Sequence, residues 1–166
     1  PAFKRVTGLI GDDYAGTAQG SGFALRLPLG STAEDLLSYQ GRDAQSVSER
    51  VEGRTLRKAF LLQGRAVVLQ IRFTASGVEV ELDPSTPPGP DAMLQVHRMA
   101  RRLLGLDQDP AALEADPVHA RLVAGREGLR VPLSLDPFEA LVWAILGQQV
   151  NLAFAYALRR DLIRAW

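Results

Sequence analysis

The stretch DPFEALVWAILGQQVNLAFAYALRR, residues 136–160, decides how the C-terminal half of the chain folds. It opens with Asp136 before Pro137, an order typical of a helix cap followed by the first helical residue. The predicted helix runs to Leu146 and is apolar nearly all round, with Glu139 at its third position. A helix without a polar face must be covered by other parts of a protein. We therefore expect exposed apolar surface, and association or a supporting second segment, if that cover is missing.

A five-residue break follows this helix, with the sequence Gly147-Gln148-Gln149-Val150-Asn151. Asn151 can cap a last helix through Arg164, so the two helices are predicted to form an αα-hairpin. Spacing alone favours an ordinary turn between helices, consisting of a helix stop and a helix cap.

Before the hairpin the hydrophobic pattern is also helical. Asp91 is predicted to cap a helix that Gly105 stops, and its apolar stripe consists of Met93, Val96, Met99, Ala100, Leu103 and Leu104. Aspartate before proline at 109–110 and at 116–117 predicts two short helices. The arginines of the long helix and of the last helix are expected on solvated faces: Arg98, Arg101, Arg102, Arg159, Arg160 and Arg164.

In the first half of the chain the period changes to two. Residues 23–27, 67–73 and 78–82 alternate as strands, with turns expected at Gln63-Gly64 and Ser76-Gly77. Ser31 and Glu34 have the spacing of a capping box for a helix that ends near Gly41. Short strands joined by tight turns pair antiparallel, which predicts a curved antiparallel sheet with one helix on a face.

The proline-rich sequence DPSTPPGP at residues 83–90 lies where the period changes, which predicts a domain boundary. We expect an irregular lead-in over residues 1–20, an antiparallel α/β domain over 21–83, a linker over 84–90 and a helical domain over 91–166. The fold class predicted from the sequence is α+β.

Composition excludes several kinds of chemistry. The 166 residues contain no cysteine, which removes disulfides, iron–sulfur clusters, cysteine-bound zinc and thiol catalysis. Basic and acidic residues number 19 each, so any nucleic acid or membrane must be bound locally. No apolar run is long enough for a membrane span and no signal pattern opens the chain, so we expect a soluble cytoplasmic protein. His97 and His119 stand alone and are expected at the surface or at helix ends, outside any site.

Residues 136–160 resemble the opening of the helix-hairpin-helix DNA glycosylase domain, and within that superfamily the DNA-3-methyladenine glycosylase II family. The sequence AGREGLRV at 124–131 resembles that family's approach to this helix, and RMARRLLGL at 98–106 resembles its earlier arginine-bearing helix. The β-rich half resembles the family's front domain, which is similar to one repeat of the TATA-binding protein. The resemblance covers roughly residues 22–166. It implies a sheet domain followed by the first part of the glycosylase domain.

The resemblance implies a DNA-contacting role for the turn. Gln149 occupies the family's wedge position, where a side chain fills the gap left when a base is flipped out of the duplex. Gly147, Gln148 and Asn151 would flank it on the minor-groove side. By a looser match, Tyr39 falls where an aromatic side chain reaches the base-binding cleft. Its ring could stack on a cationic base, or it could pack its helix end against the sheet.

The implied activity is hydrolysis of the N-glycosidic bond of alkylated bases of the 3-methyladenine type in double-stranded DNA, without metal or other cofactor. The family's catalytic aspartate is expected beyond Trp166, because Asp136 and Asp161 do not match its motif. Residues 1–166 are then the N-terminal part of a monofunctional glycosylase and inactive alone.

Two other functions are consistent with the sequence. One is a non-catalytic DNA-binding module, which the absent aspartate favours. The other is a structural or protein-interaction domain that uses the exposed sheet face. Balanced charge favours it, with 10 basic and 10 acidic residues in 1–90 and 9 of each in 91–166.

Overall fold

The computed structural model of the chain describes residues 22–28, 31–75, 77–83 and 89–165. The predicted lead-in, Ser76 of one predicted turn and most of the proline-rich linker lie outside the described residues. In chain order the elements are β1 (Gly22–Arg26), α1 (Ala33–Gln40), β2 (Glu49–Glu52), β3 (Thr55–Leu62), β4 (Arg65–Phe73), β5 (Gly77–Leu82), α2 (Pro90–Leu103), α3 (Ala111–Ala115), α4 (Ala120–Val123), α5 (Pro137–Leu146) and α6 (Leu152–Ala165).

The strands form one antiparallel sheet in the order β1-β5-β4-β3-β2, which confirms the predicted α+β class and the alternation in β4 and β5. Register aligns Leu56 with Ile71, and Ile71 with Val80, on the buried face of the sheet. The predicted turn between β3 and β4 is present: Gln63 and Gly64 have φ angles of 51° and 77°. Both angles are positive, as the common two-residue hairpin turn requires.

One apolar core lies between the inner face of the sheet, α1 and α2. In α2, Val96, Ala100 and Leu103 are completely buried. The core is therefore shared by elements on both sides of the proline-rich segment. His97 is buried too, with its ring centroid 5.2 Å from that of Phe23, so the expectation of a surface histidine there was wrong. Its neighbours on α2 carry the apolar stripe, and the helix turns this position toward β1.

Two helix starts differ from the prediction by one or two residues. Thr32, not Ser31, caps α1: its hydroxyl accepts from the Asp35 amide at 3.4 Å and donates to the Asp35 carboxylate at 2.7 Å. Thr32 and Asp35 repeat the same three-residue spacing one position later, which the sequence pattern did not distinguish. The helix α2 begins after Gly89, because Pro90 supplies the preset φ of a first helical residue and places Asp91 inside the first turn.

The segments before α3 and α4 use their aspartates as turn acceptors. Asp109 accepts from the Ala111 amide at 3.0 Å, and Asp116 accepts from the Val118 amide at 2.8 Å. Each proline precedes its helix, rather than being its first residue as predicted. Across the described ranges, the chain forms no helix long and apolar enough to cross a membrane.

The predicted αα-hairpin is formed by α5 and α6. Asp136 accepts from the Glu139 amide at 2.8 Å and Asn151 accepts from the Phe154 amide at 2.9 Å, so both predicted caps are confirmed. No residue of α5 is buried, and Phe138 is 70% exposed. The exposed apolar surface expected from the sequence is therefore present on this helix.

Candidate functional site

The turn between α5 and α6 is an exposed projection held by capped helices on both sides. Gly147 ends α5, and its amide donates to the Trp143 carbonyl at 3.0 Å. A Cβ atom at Gly147 would lie 3.0 Å from that same carbonyl oxygen, which is tighter than side chains normally accept. The turn residues 147–151 are all exposed. Backbone contacts therefore hold the start of the turn at the end of α5, and the side chains of the turn remain accessible to a ligand.

Gln149 has a φ of 56°, in the left-handed region that residues other than glycine rarely adopt. Among the described residues, Gln63 is the other non-glycine residue with a positive φ. This conformation costs about 1–2 kcal/mol for a residue with a Cβ atom. Asn151, two residues after Gln149, caps the start of α6 by accepting from the Phe154 amide at 2.9 Å. Gln149 carries an amide, which can both donate and accept hydrogen bonds.

Tyr39 lies in the last turn of α1 and is 44% exposed, but one face of its ring is covered. The Arg42 guanidinium carbon lies 3.9 Å from the ring centroid, and Arg42 also donates to the Tyr39 carbonyl at 2.8 Å. This distance is typical of a cation–π contact. The sequence did not indicate that a cation of the chain itself occupies the tyrosine face.

Trp143 connects the Tyr39 region with the turn. The Arg42 guanidinium lies 5.3 Å from the Trp143 ring centroid, and Tyr39, Arg42 and Trp143 line one cleft. The Trp143 carbonyl accepts from Gly147, one helical turn later. Contacts therefore run from Tyr39 of α1 through Arg42 and Trp143 to the start of the turn. It brings Gly147, Gln148, Gln149 and Asn151 together at the turn, and Tyr39 to the adjoining cleft.

The largest feature missed by the sequence is a buried cluster of four charges, Glu49, Lys58, Glu139 and Arg159. Lys58 is 4% exposed and its Nζ lies 2.6 Å from a Glu139 oxygen, while Arg159 is 6% exposed and bridges Glu49 at 2.9 Å and Glu139 at 3.2 Å. Glu49 and Lys58 are register partners on the inner face of the sheet. This ion cluster joins β2 and β3 to both helices of the hairpin.

The expectation that Arg159 and Arg160 lie on a solvated face was wrong. One guanidinium nitrogen of Arg160, Nη1, donates to both carboxylate oxygens of Asp43, at 2.8 and 2.9 Å, where both side chains are largely buried. The first turn of α6 is exposed, and the helix then approaches the loop before β2, which turns these arginines inward. By contrast Arg98 and Arg102 of α2 are exposed, as predicted.

Neighbouring charges favour the ionised form of Glu49 in the ion cluster. Burial raises the pKa of Glu49, but the charges of Lys58 and Arg159, with hydrogen bonds from Ser48 and Arg159, outweigh burial and hold that pKa below its usual value. The four charges sum to zero, and each carboxylate contacts both cations. A buried ion pair persists only with such compensation.

The two aspartates that do not match the family's catalytic motif both make structural contacts. Asp136 caps α5, and Asp161 forms an ion pair with Arg164 at 3.3 Å on the exposed side of α6. No group of three or more acidic, histidine or cysteine side chains that could hold a metal ion occurs in the part of the chain that the structure describes.

Comparison with known proteins agrees on one family. The family model described as the AlkA N-terminal domain matches residues 24–136. A DNA-3-methyladenine glycosylase of Bacillus subtilis (strain 168) is 47% identical over 53 residues, which make up 32% of this chain and 18% of that protein. A solved structure, a 3-methyladenine DNA-glycosylase from Archaeoglobus fulgidus, has a TM-score of 0.66 at 23% identity, over 81% of this chain and 47% of the other. The chain thus spans less than half of either relative.

Proposed function

Because the chain belongs to the AlkA N-terminal domain family, we propose that it is part of a DNA-3-methyladenine glycosylase that excises alkylated bases from double-stranded DNA. Both relatives are named as 3-methyladenine DNA glycosylases, which supports this activity. The observation that carries the proposal is the exposed turn between α5 and α6, with Gln149 held in a left-handed conformation at its tip.

In this proposal Gln149 is the wedge. Flipping a nucleotide costs a few kcal/mol and leaves a gap in the base stack. A side chain on a rigid turn can enter that gap from the minor groove, and an amide can in addition pair with the orphaned base. Gly147, Gln148 and Asn151 approach the groove beside it. The exposure of residues 147–151 is compatible with this contact.

We assign Tyr39 to the wall of the base-binding cleft. A cationic alkylated base would stack on the tyrosine face that the Arg42 guanidinium covers in the free protein. Arg42 must therefore move aside before the base is bound. Arg42 is exposed, so it can turn toward solvent without losing a buried contact.

The catalytic carboxylate belongs, in this proposal, outside residues 1–166. Such a group stabilises the positive charge that develops on the sugar as the glycosidic bond breaks and water adds. Asp136 and Asp161 are committed to a cap and to a surface ion pair. Family membership is also the basis for two proposals about the fold. The front sheet is similar to one repeat of the TATA-binding protein, and the helical part belongs to the helix-hairpin-helix class. No metal or cofactor is invoked.

The test replaces two glutamines that share a backbone conformation. Gln149→Ala removes the proposed wedge, and Gln63→Ala is the matched control, because Gln63 also has a positive φ but lies in the turn between β3 and β4. Fluorescence anisotropy would give the affinity of the intact protein for a duplex with a tetrahydrofuran abasic analogue and for the same duplex without it. The ratio of the first affinity to the second is the abasic preference.

We expect Gln149→Ala to lower the abasic preference about 5- to 100-fold, equivalent to losing roughly 1–3 kcal/mol of contact in the gap. Gln63→Ala should leave it unchanged. An equal loss on both duplexes, or no loss, would remove the wedge from the proposal. DNA affinity that ignores salt would contradict any phosphate contact. Release of methylated bases by the intact protein separates a glycosylase from a binding module.

A further inference from the structure

The hairpin that carries Gln149 has little apolar attachment to the rest of the chain. No residue of α5 is buried, and α6 buries Ala155, Tyr156 and Arg159. Phe138, Leu141 and Ile145 of α5 are all exposed. Apolar packing, which holds α2 on the sheet, therefore cannot by itself fix the direction of the turn.

The ion cluster adds polar contacts of defined direction to the buried Ala155 and Tyr156 of α6. Glu139 of α5 accepts from Lys58 of β3 at 2.6 Å, and its second oxygen accepts from the Leu135 amide at 3.0 Å. Arg159 of α6 donates to Glu49 at 2.9 and 3.1 Å and to the Ser48 hydroxyl at 3.1 Å. Each helix of the hairpin is thus tied to the sheet by a charged side chain of defined direction that is largely shielded from solvent.

The same arginine also holds the two helices together. Arg159 reaches Glu139 across the hairpin at 3.2 Å, and its guanidinium carbon lies 5.1 Å from the Trp143 ring centroid. Trp143 in turn packs edge-on against Tyr156 and its carbonyl accepts from Gly147 at the start of the turn. A continuous set of contacts therefore runs from β2 and β3 to the turn.

We infer that Glu49, Lys58, Glu139 and Arg159 are positioning residues, which fix the angle at which the Gln149 turn meets DNA. The inference rests on the wedge role proposed above. Hydrogen bonds between charged groups are directional, and a two-pronged arginine sets orientation as well as distance. If this geometry is lost, the Gln149 side chain no longer points into the gap in the base stack. The four positioning residues have this effect although they do not contact DNA themselves.

The variant that tests it is Arg159→Lys, which keeps the charge but cannot contact Glu49, Ser48 and Glu139 together. Arg164→Lys is the matched control, since Arg164 lies on the same helix in an exposed pair with Asp161. Glu139→Gln serves as a second variant if Arg159→Lys does not fold. Each is combined with Gln149→Ala in a double-mutant cycle on the intact protein, with the abasic preference as the readout.

We expect Arg159→Lys to lower the abasic preference about 2- to 30-fold, the size of effect found for residues that act through a contact network. In the Gln149→Ala background the same substitution should change it less than about twofold, because the wedge it positions is gone. Arg164→Lys should have no effect in either background.

The outcomes separate this inference from the proposed function. If Gln149→Ala has no effect of its own, the wedge fails and the positioning role fails with it. If Gln149→Ala lowers the preference but Arg159→Lys and Glu139→Gln do not, the inference alone is wrong. Equal losses from Arg159→Lys in both backgrounds would show a merely structural role and would also overturn it.

Discussion

The sheet and the hairpin are held by different kinds of interaction. Beneath the sheet, α2 contributes fully buried apolar side chains, so its attachment is non-directional and proportional to the area removed from water. The α5–α6 hairpin presents apolar side chains to solvent and attaches largely through charged contacts, those of the ion cluster and the Arg160–Asp43 pair. Apolar packing tolerates small shifts, whereas a buried cluster of alternating charges is satisfied in one arrangement. The part proposed to contact DNA is therefore oriented by charge, and the scaffold is stabilised by packing.

The largest effect is expected when one member of the ion cluster is removed. Lys58→Met leaves two buried carboxylates facing Arg159 alone, and breaking a buried ion pair in this way costs about 3–5 kcal/mol. Hydrogen exchange should show that the free energy of opening falls by this amount for the α6 amides. The fall should be smaller for the amides of β4. Arg72→Met is the control, because Arg72 pairs with Glu79 on the exposed face. Equal loss of protection in α6 and β4 would show that the hairpin is not held by charge more than the sheet is.

A slightly smaller loss is expected in the apolar core. Leu103→Ala removes a completely buried side chain and should lower the free energy of unfolding by about 2–5 kcal/mol. Leu61→Ala deletes the same atoms from the exposed face of β3 and should cost less than about 0.5 kcal/mol. Urea unfolding of both variants measures the difference. A similar cost at the two positions would contradict the assignment of the core.

A third prediction concerns pH. Since the folded-state pKa of Glu49 lies below its usual value, folding releases its proton, and the stabilisation is complete above the ordinary glutamate value of ~4.3. It is lost as pH falls through the lower, folded-state pKa. The stability difference between the unsubstituted protein and Glu49→Gln should therefore stay constant from neutral pH down to about 4.3 and narrow as the pH falls below that value. Urea unfolding at several pH values would test this, and a constant gap would show that Glu49 contributes no pH-dependent stability.

The smallest expected effects come from the two left-handed glutamines. Gln63→Gly and Gln149→Gly each relieve backbone strain and should raise stability by less than about 1 kcal/mol. Thermal unfolding would measure that shared gain. Only Gln149→Gly should also lower the abasic preference. A similar fall in the abasic preference of Gln63→Gly would contradict the proposal that the turn between α5 and α6 specifically contacts the gap in DNA.

The sequence predicted the features that depend on neighbouring residues. Alternation in β4, the Gln63-Gly64 turn and the Asp136 and Asn151 caps are local patterns, and each is present in the structure. The cap of α1 was displaced by one residue because Thr32 and Asp35 have the same spacing as Ser31 and Glu34.

The ion cluster was not predictable in the same way. Lys58 and Glu139 are 81 residues apart and Glu49 and Arg159 are 110 apart, so their pairing depends on how the hairpin docks on the sheet. A weak signal existed, since both Glu49 and Lys58 fall on inward positions of their strands. Charges at such positions are usually paired, although the sequence does not name the partners.

The burial of Lys58 gives the chain a built-in chemical reporter. Lysine occurs at positions 4 and 58, whereas the chain has 17 arginines, so amine-directed reagents and lysine-specific proteases have few targets. Lys58 is shielded beneath the hairpin while its Nζ contacts Glu139. The rate of acylation at Lys58, followed over time by peptide mass, would therefore measure how often the hairpin opens. No substitution or engineered probe would be needed.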